Sequence, residues 1–203
     1  YKELFEIYPE SQKIYKQETE HEFELVGMLN DKKLLYAGAI VLGMNDALVE
    51  LTGTLSGIAL AFDKSLTVGL TGLIMGIAAS LSMAGSAYFE AKENPSDDIN
   101  PLIYSLYTGI SYILTTTILV VPFFIFETMA YSLIMMFISA FLAIISYNFY
   151  ISVAKDLSFS KRVIQMSAIT FGVALISFGI GYVVKYYFGI EIYLQPLLIV
   201  VDI

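Results

Sequence analysis

Five long apolar runs dominate the pattern of this chain, and short polar breaks separate them. The runs cover about residues 34–62, 66–89, 102–126, 129–154 and 163–187. A helix needs about 20 predominantly apolar residues to cross the hydrocarbon core of a bilayer. The pattern therefore predicts an all-α fold, that of a polytopic membrane protein with five transmembrane helices.

The two ends of the chain differ from this transmembrane domain, which we bound at 34–189. Residues 1–33 mix apolar side chains with lysines and acidic residues, a pattern typical of an amphipathic helical segment. The first residue is Tyr1 rather than Met, so this segment is expected to belong to a longer chain. Residues 190–203 form an apolar C-terminal tail that is too short to span a bilayer and is interrupted by Pro196.

Composition agrees with a membrane protein and excludes several classes of function. The 203 residues are 57% hydrophobic and 15% charged, whereas roughly 25% charged residues are usual in soluble domains. A net charge of −8 argues against a nucleic-acid partner because it repels phosphates. There is no cysteine and only one histidine, His21, so thiolate sites and multi-histidine zinc sites are excluded within one chain. No phosphate-binding loop or hydrolytic triad is apparent, and we expect no enzyme.

The basic residues predict the orientation of the chain in the membrane. If the N-terminus is cytoplasmic, all but two of the 11 basic residues lie on the cytoplasmic side, as the positive-inside rule requires. Five spans then place the C-terminus outside, in a multi-pass protein of the cell membrane. The two outer residues are Lys64 and Lys185, and the inner ones are Lys2, Lys13, Lys16, Lys32, Lys33, Lys92, Lys155, Lys161 and Arg162.

Two carboxylates stand inside the first apolar run, in the stretch GMNDALVE from Gly43 to Glu50. Asp46 lies about 18 Å along this helix, near the middle of the bilayer, where an ionised Asp costs about 2.5–3.5 kcal/mol and marks a functional site. Glu50 is one turn further on the same face. Because the two carboxylates repel each other, either a divalent cation or protons can relieve the repulsion, which is the chemistry that metal–proton exchange requires. Two alternatives stay open: Asp46 caps a broken helix or bonds a neighbouring hydroxyl, and Glu50 only attracts cations to a vestibule.

The second apolar run contributes Met83 and Glu90, in the stretch SLSMAGSAYFE. Met83 lies on a segment rich in Gly, Ser and Ala, where its thioether can meet the facing helix. Sulfur beside carboxylate favours transition metals over Mg²⁺ or Ca²⁺, although a methionine in a membrane helix is more often a packing residue. Glu90 follows Met83 by two helical turns and is expected on the same face near the inner surface.

Small residues recur at every fourth position in the first two runs and predict close packing between helices. Residues four apart share a helix face, so each series forms a smooth stripe that another backbone can approach. We expect these two spans to form the tightly packed functional core, within one protomer or across a dimer seam. The stripes consist of Gly53, Gly57 and Ala61 in the first run and Gly72, Gly76, Ser80 and Ala84 in the second.

The stretches GMNDALVE and SLSMAGSAYF together resemble the vacuolar iron transporter family. Its first span carries a G-x-x-D-G-L-V-like motif and its second an S-M-A-x-G-E-like motif, and Asp46 and Met83 occupy the positions that line the metal path. The resemblance covers about residues 34–187. It implies a homodimer of five-helix protomers that exports Fe²⁺, or Mn²⁺, from the cytoplasm in exchange for protons, with no permanently bound cofactor. Ala47 and Ala87 depart from the pattern, because the family has a glycine and a glutamate there.

Metal loading from the cytoplasm is expected in the N-terminal segment. Plant-type members of the family carry a long acidic insert between spans two and three, which here is only AKENPSDDIN. Glu18, His21 and Glu22 instead include the E-x-x-H pattern of di-iron carboxylate bundles. The segment resembles the last helix of a rubrerythrin-type, ferritin-like domain, which some prokaryotic members carry before their membrane part. About one and a half helices cannot close such a site, so an exposed acidic helix is the competing interpretation.

Two other functions fit the same residues. A passive, cation-selective channel would conduct without proton coupling, although runs three to five offer few polar groups for a pore. A membrane anchor for an iron-sensing or ferroxidase domain would tolerate substitution of Asp46 and Glu50. The leading hypothesis is a divalent metal–proton antiporter, whose partners are the metal ion, protons and the lipid bilayer.

Overall fold

A computed structural model of the chain describes residues 36–94, 99–154 and 158–188. These residues form five helices joined by short links, so the prediction of an all-α fold is confirmed, and each predicted span corresponds to one helix. The N-terminal segment, with Glu18, His21 and Glu22, and the tail 190–203 lie outside the described residues. The helices are α1 (Ala37–Ala61), α2 (Ser65–Glu93), α3 (Pro101–Ile125), α4 (Met129–Ala154) and α5 (Phe159–Phe188).

Four of these helices, α2 to α5, are long and apolar enough to cross a membrane. Their outer surfaces carry large apolar side chains such as Ile74, 69% exposed, and Leu175, 73% exposed. Apolar surface of this extent requires a covering such as lipid. Helix α1 is not among the four, because Asn45, Asp46 and Glu50 lower its hydropathy. The architecture is compatible with a polytopic membrane protein.

Helix α1 lies at the centre of the bundle. It packs most extensively on α5 and α3 and also contacts α2 and α4. None of its large apolar side chains is exposed, and Leu48, Leu51 and Leu55 are fully buried in the core. Because the other helices cover it, α1 can carry polar side chains that would be costly on a helix facing lipid.

Local signals explain where the helices begin and end. The Asn100 side chain accepts a 2.9 Å hydrogen bond from the backbone N–H of Leu102, and Pro101 occupies the first turn of α3, where a missing N–H has no cost. The link between α1 and α2 is only three residues long, 62–64. A link of this length makes the two helices antiparallel neighbours, and it falls at the break predicted from Asp63.

Tyrosine side chains gather at the two ends of the bundle, with one exception. Tyr112 lies near the middle of α3, whereas the other described tyrosines lie close to helix ends, the positions at which tyrosine is enriched in membrane proteins. Those at the end where α1 begins are Tyr36, Tyr88, Tyr104, Tyr107, Tyr147 and Tyr150, and those at the opposite end are Tyr131, Tyr182, Tyr186 and Tyr187.

The small-residue stripe of α1 receives helix α5. A Cβ added to Gly53 would come within 2.9 Å of the Val173 side chain, and one added to Gly57 within 3.0 Å of the Ser177 carbonyl oxygen. A Cβ on Gly181 would in turn overlap the Gly57 carbonyl. The two backbones therefore approach as closely as glycine permits.

The small-residue stripe of α2 packs mainly on α3 rather than on α1. A Cβ added to Gly76 would overlap the Thr116 side chain, and one added to Gly72 would meet Leu55 of α1 and Val120 of α3. Ser80 is buried in the same stripe. Within the protomer, each stripe accommodates a different third helix, and the direct contact between α1 and α2 is smaller. The expectation of a functional core formed by these two spans, within one protomer or across a dimer seam, stays a prediction.

Gly43, the first residue of GMNDALVE, allows α1 to approach α3. An added Cβ would overlap the Thr108 carbonyl oxygen and the Ser111 hydroxyl, and overpacking of this kind costs about 1–3 kcal/mol. We therefore expect Gly43→Ala to lower the thermal unfolding midpoint measured in detergent. Gly172→Ala is the matched control, because a Cβ there meets no atom within 4 Å. Equal midpoints for the two variants would contradict the close approach.

Candidate functional site

Asp46 lies near the midpoint of the 25-residue helix α1, about 14 Å from its first residue. Its side chain is half-buried and lines a cavity of about 440 Å³. We call this space the acidic cavity, because its charged residues are both carboxylates. Its lining consists of Gly38, Val41, Leu42, Asn45, Asp46, Val49, Glu90 and Tyr104.

The acidic cavity extends from one end of the bundle to the middle of α1. Glu90 reaches it from the last turn of α2 and Tyr104 from the first turn of α3, both at the end where α1 begins. Along α1 its lining runs from Gly38 to Val49, a length of about 16 Å. The cavity is shallow and open along its length: Glu90 is exposed at the end of the bundle, and the half-buried Asp46 lies further along α1. The cavity thus presents two carboxylates in sequence along one path.

The polar side chains of the acidic cavity offer oxygen ligands. Besides the two carboxylates, they are the amide of Asn45 and the hydroxyl of Tyr104. The Asn45 Oδ1 atom is buried and has no hydrogen-bond partner among the described residues. Carboxylate and carbonyl oxygens suit hard divalent cations such as Mn²⁺.

A cation in this cavity would keep part of its water shell. Within residues 36–94, 99–154 and 158–188, no group of three or more His, Asp or Glu is close enough together to hold a metal ion. An ion held by one carboxylate and a few neutral oxygens is bound more weakly than one in a closed structural centre.

Glu50 lies one turn beyond Asp46 and outside the lining of the acidic cavity. Its Oε2 accepts a 2.6 Å hydrogen bond from the hydroxyl of Tyr112 on α3. Tyr112 is fully buried, whereas Glu50 is the one exposed residue of α1. The bond therefore fixes the Glu50 carboxylate, whose charge acts on Asp46, and joins α1 to α3.

Met83 is half-buried on α2 and packs against the apolar core. It does not belong to the lining of the acidic cavity, so its thioether is not among the oxygen ligands gathered there. The structure brings Asp46 and Glu90 together in one cavity, and it places Glu50 and Met83 outside that lining.

Sequence reasoning missed three polar residues around this site: Asn45, Tyr104 and Tyr112. The sequence does point to Asn45, since it is a polar side chain next to Asp46 in an apolar run. The sequence also points to Tyr112, because it lies in the middle of an apolar run, whereas tyrosines of membrane helices usually lie near the interface. Nothing in the sequence points to Tyr104, because its position near a helix end is that of an ordinary interfacial tyrosine.

Comparison with known proteins gives no assignment: no protein-family model matches the chain, and no curated protein matches it. The resemblance of GMNDALVE and SLSMAGSAYF to the vacuolar iron transporters stays a prediction.

Proposed function

We propose that this protein carries a divalent metal ion, Fe²⁺ or Mn²⁺, across the membrane in exchange for protons. The observation that carries the proposal is that Asp46 and Glu90 line one cavity leading from an end of the bundle to the middle of its central helix. An ionised carboxylate at that depth needs a compensating partner. No lysine or arginine lines the cavity among the described residues. A transported cation supplies that charge, and a proton replaces it when the cation leaves.

The proposed topology places the mouth of the acidic cavity in the cytoplasm. All five helices span the cell membrane, the N-terminus is cytoplasmic and the C-terminus is outside. Lys92, Lys161 and Arg162 lie at the same end as Glu90, which supports this orientation through the positive-inside rule. Helix α1, too polar to span alone, is held in place by the four apolar helices. Metal enters past Glu90 and leaves on the outer side beyond Asp46.

Protons and metal compete for the same carboxylates in this mechanism. An unpaired charge is costly in a low-dielectric surrounding, so Asp46 holds either the metal or a proton. Protons arriving from outside reach Glu50 and Asp46, and their binding displaces the metal. The Tyr112 hydroxyl, 2.6 Å from Glu50, stabilises the Glu50 carboxylate when neither is bound.

The proposal includes a homodimer, because the exposed carboxylate of Glu50 needs a covering other than lipid. Glu50 is exposed on the surface of the single protomer, and a carboxylate facing lipid at this depth costs about 2.5–3.5 kcal/mol. A second copy of the chain would cover it. Helix α2 also exposes small residues, Ala78, Ser82 and Gly85, which permit another helix to pack closely.

The role of the cavity mouth is tested by Glu90→Gln in proteoliposomes. We expect the apparent KM for Mn²⁺ uptake to rise about 3- to 10-fold with little change in the maximal rate, since an exposed charge contributes about 1 kcal/mol to attracting a cation. The effect should shrink at high salt, because the screening length falls to about 3 Å at 1 M.

The matched control for Glu90 is Glu93→Gln. Glu93 is also an exposed glutamate in the last turn of α2, but it does not line the cavity. We expect this variant to keep the wild-type KM. Equal KM values for Glu90→Gln and Glu93→Gln would remove Glu90 from the metal path.

A further inference from the structure

A second polar cavity lies on the other side of Asn45, between α1, α4 and α5. Its volume is about 240 Å³, and its charged residue is Arg162. We call it the basic cavity. Its lining consists of Asn45, Val49, Asn148, Arg162, Gln165, Met166 and Ile169.

A buried amide fixes the guanidinium of Arg162. Its Nε donates a 3.2 Å hydrogen bond to Oδ1 of Asn148, a side chain only 1% exposed. The Nδ2 of Asn148 donates in turn to the Ile144 carbonyl oxygen at 2.8 Å. Through these two bonds, α4 holds the side chain of Arg162 in place from the interior of the bundle.

Most hydrogen-bonding capacity of Arg162 is unused in the described structure. An arginine carries five N–H donors. Among residues 36–94, 99–154 and 158–188, the Nε donor bonds Asn148, and the buried hydroxyl of Tyr147 lies beside the guanidinium. The ion pair found in those ranges is Lys185 with Asp63, at the opposite end of the bundle. Within the described residues no carboxylate pairs with the guanidinium of Arg162, so its terminal nitrogens keep donors for an anionic ligand.

The chemistry of the basic cavity favours a phosphate group. No Asp or Glu lines it among the described residues, and the amides of Gln165 and Asn45 add neutral N–H donors beside Arg162. The planar fork of an arginine matches two oxygens of one phosphate. The cavity has a volume of about 240 Å³ and is open to the surface of the bundle. That space accommodates a phosphate group and several bridging waters.

The Arg162 end of the basic cavity fits the head-group region of a bilayer, whereas its lining at Asn45 and Val49 reaches deeper into the bundle. Helix α5 has 30 residues and is about 45 Å long, so it exceeds the hydrocarbon core by about 15 Å. Arg162 lies about 5 Å from the start of this helix, at the level where lipid phosphates lie. Basic pockets between transmembrane helices at this level bind anionic head groups.

We propose that the basic cavity binds one phosphate group, supplied by an anionic lipid or by free phosphate. The site does not depend on the proposed metal transport. Its occupant would lie against the part of α1 that also lines the acidic cavity, since Asn45 and Val49 belong to both linings.

The test compares Arg162→Gln with Lys161→Gln in the full chain. Lys161 is the neighbouring basic residue, but it is exposed and does not line the cavity. By native mass spectrometry, the wild type should retain phosphatidylglycerol in preference to phosphatidylcholine. Arg162→Gln should weaken that retention about tenfold or more, the effect of a lost charge-assisted hydrogen bond. Lys161→Gln should retain phosphatidylglycerol as the wild type does.

A titration with inorganic phosphate in lipid-free detergent distinguishes the two sources. If inorganic phosphate raises the thermal midpoint of the wild type but not that of Arg162→Gln, the ligand is free phosphate. If phosphatidylglycerol raises that midpoint and inorganic phosphate does not, the ligand is a lipid. Arg162→Lys keeps the positive charge but lacks the planar guanidinium, so it should bind the phosphate group at an intermediate level. It replaces Arg162→Gln in the comparison if Arg162→Gln does not fold. Absence of Arg162-dependent binding of both probes, or equal loss in Lys161→Gln, would overturn the proposal.

Discussion

Asp46→Asn is expected to reduce metal transport at least about 100-fold. The substitution keeps the size of the side chain and removes its charge. A unit charge about 4 Å from a unit cation is worth about 4 kcal/mol at an effective dielectric constant of about 20, more for a divalent ion, and each 1.4 kcal/mol is about tenfold. The measurement is the initial rate of Fe²⁺ or Mn²⁺ uptake into proteoliposomes with equal amounts of folded protein.

Asp63→Asn provides the matched control for Asp46. Both substitutions replace a carboxylate with an amide. Asp63 lies in the exposed link between α1 and α2, where its side chain is 89% exposed. This variant should transport at the wild-type rate. A wild-type rate for Asp46→Asn would remove Asp46 from the path and favour the alternative of a membrane anchor, which predicts tolerance of substitution at Asp46 and Glu50.

A proton gradient of one pH unit is expected to accumulate metal in proteoliposomes at least about tenfold above its concentration in the bath. Each pH unit is worth about 1.4 kcal/mol per proton, so a lumen one unit more acidic than the bath supports about tenfold accumulation for each proton exchanged. Lumenal Mn²⁺ should be followed with a trapped fluorescent chelator, with potassium and valinomycin holding the membrane potential near zero.

The control for coupling is a protonophore added during uptake. Exchange predicts that accumulated Mn²⁺ flows back out when the pH gradient collapses, because the same carboxylates bind metal or protons. A passive channel predicts equal metal concentrations on both sides whether or not the gradient is present. Accumulation that is unaffected by the protonophore would exclude proton exchange.

The helices were predictable from sequence because an apolar run and its polar breaks are local properties. Their ends were less so: the predicted fifth span, 163–187, became Phe159–Phe188. Hydropathy detects the part of a helix that lipid can contact, whereas the helix itself continues into the interface. Lys161 and Arg162 therefore lie inside the first turn of α5, although they interrupt the apolar pattern.

The grouping of helices was not predictable, because a stripe of small residues shows that a partner is close without showing which one. Gly57 and Gly76 indicated that some other helix approaches each stripe, and in the structure α5 packs against Gly57 and α3 against Gly76. The same limitation applies to the site. Periodicity placed Asp46 and Glu90 on helices, but their common cavity depends on how α1, α2 and α3 meet, as does the bond between Glu50 and Tyr112.

The most direct measurement is anomalous diffraction from crystals of the protein soaked with Mn²⁺. The proposal predicts a peak in the acidic cavity, with a carboxylate oxygen of Asp46 within about 2.6 Å of the ion, and loss of that peak in crystals of Asp46→Asn. Saturating Mn²⁺ that leaves the cavity without a peak, while the Asp46 carboxylate bonds only to neighbouring protein groups, would contradict it.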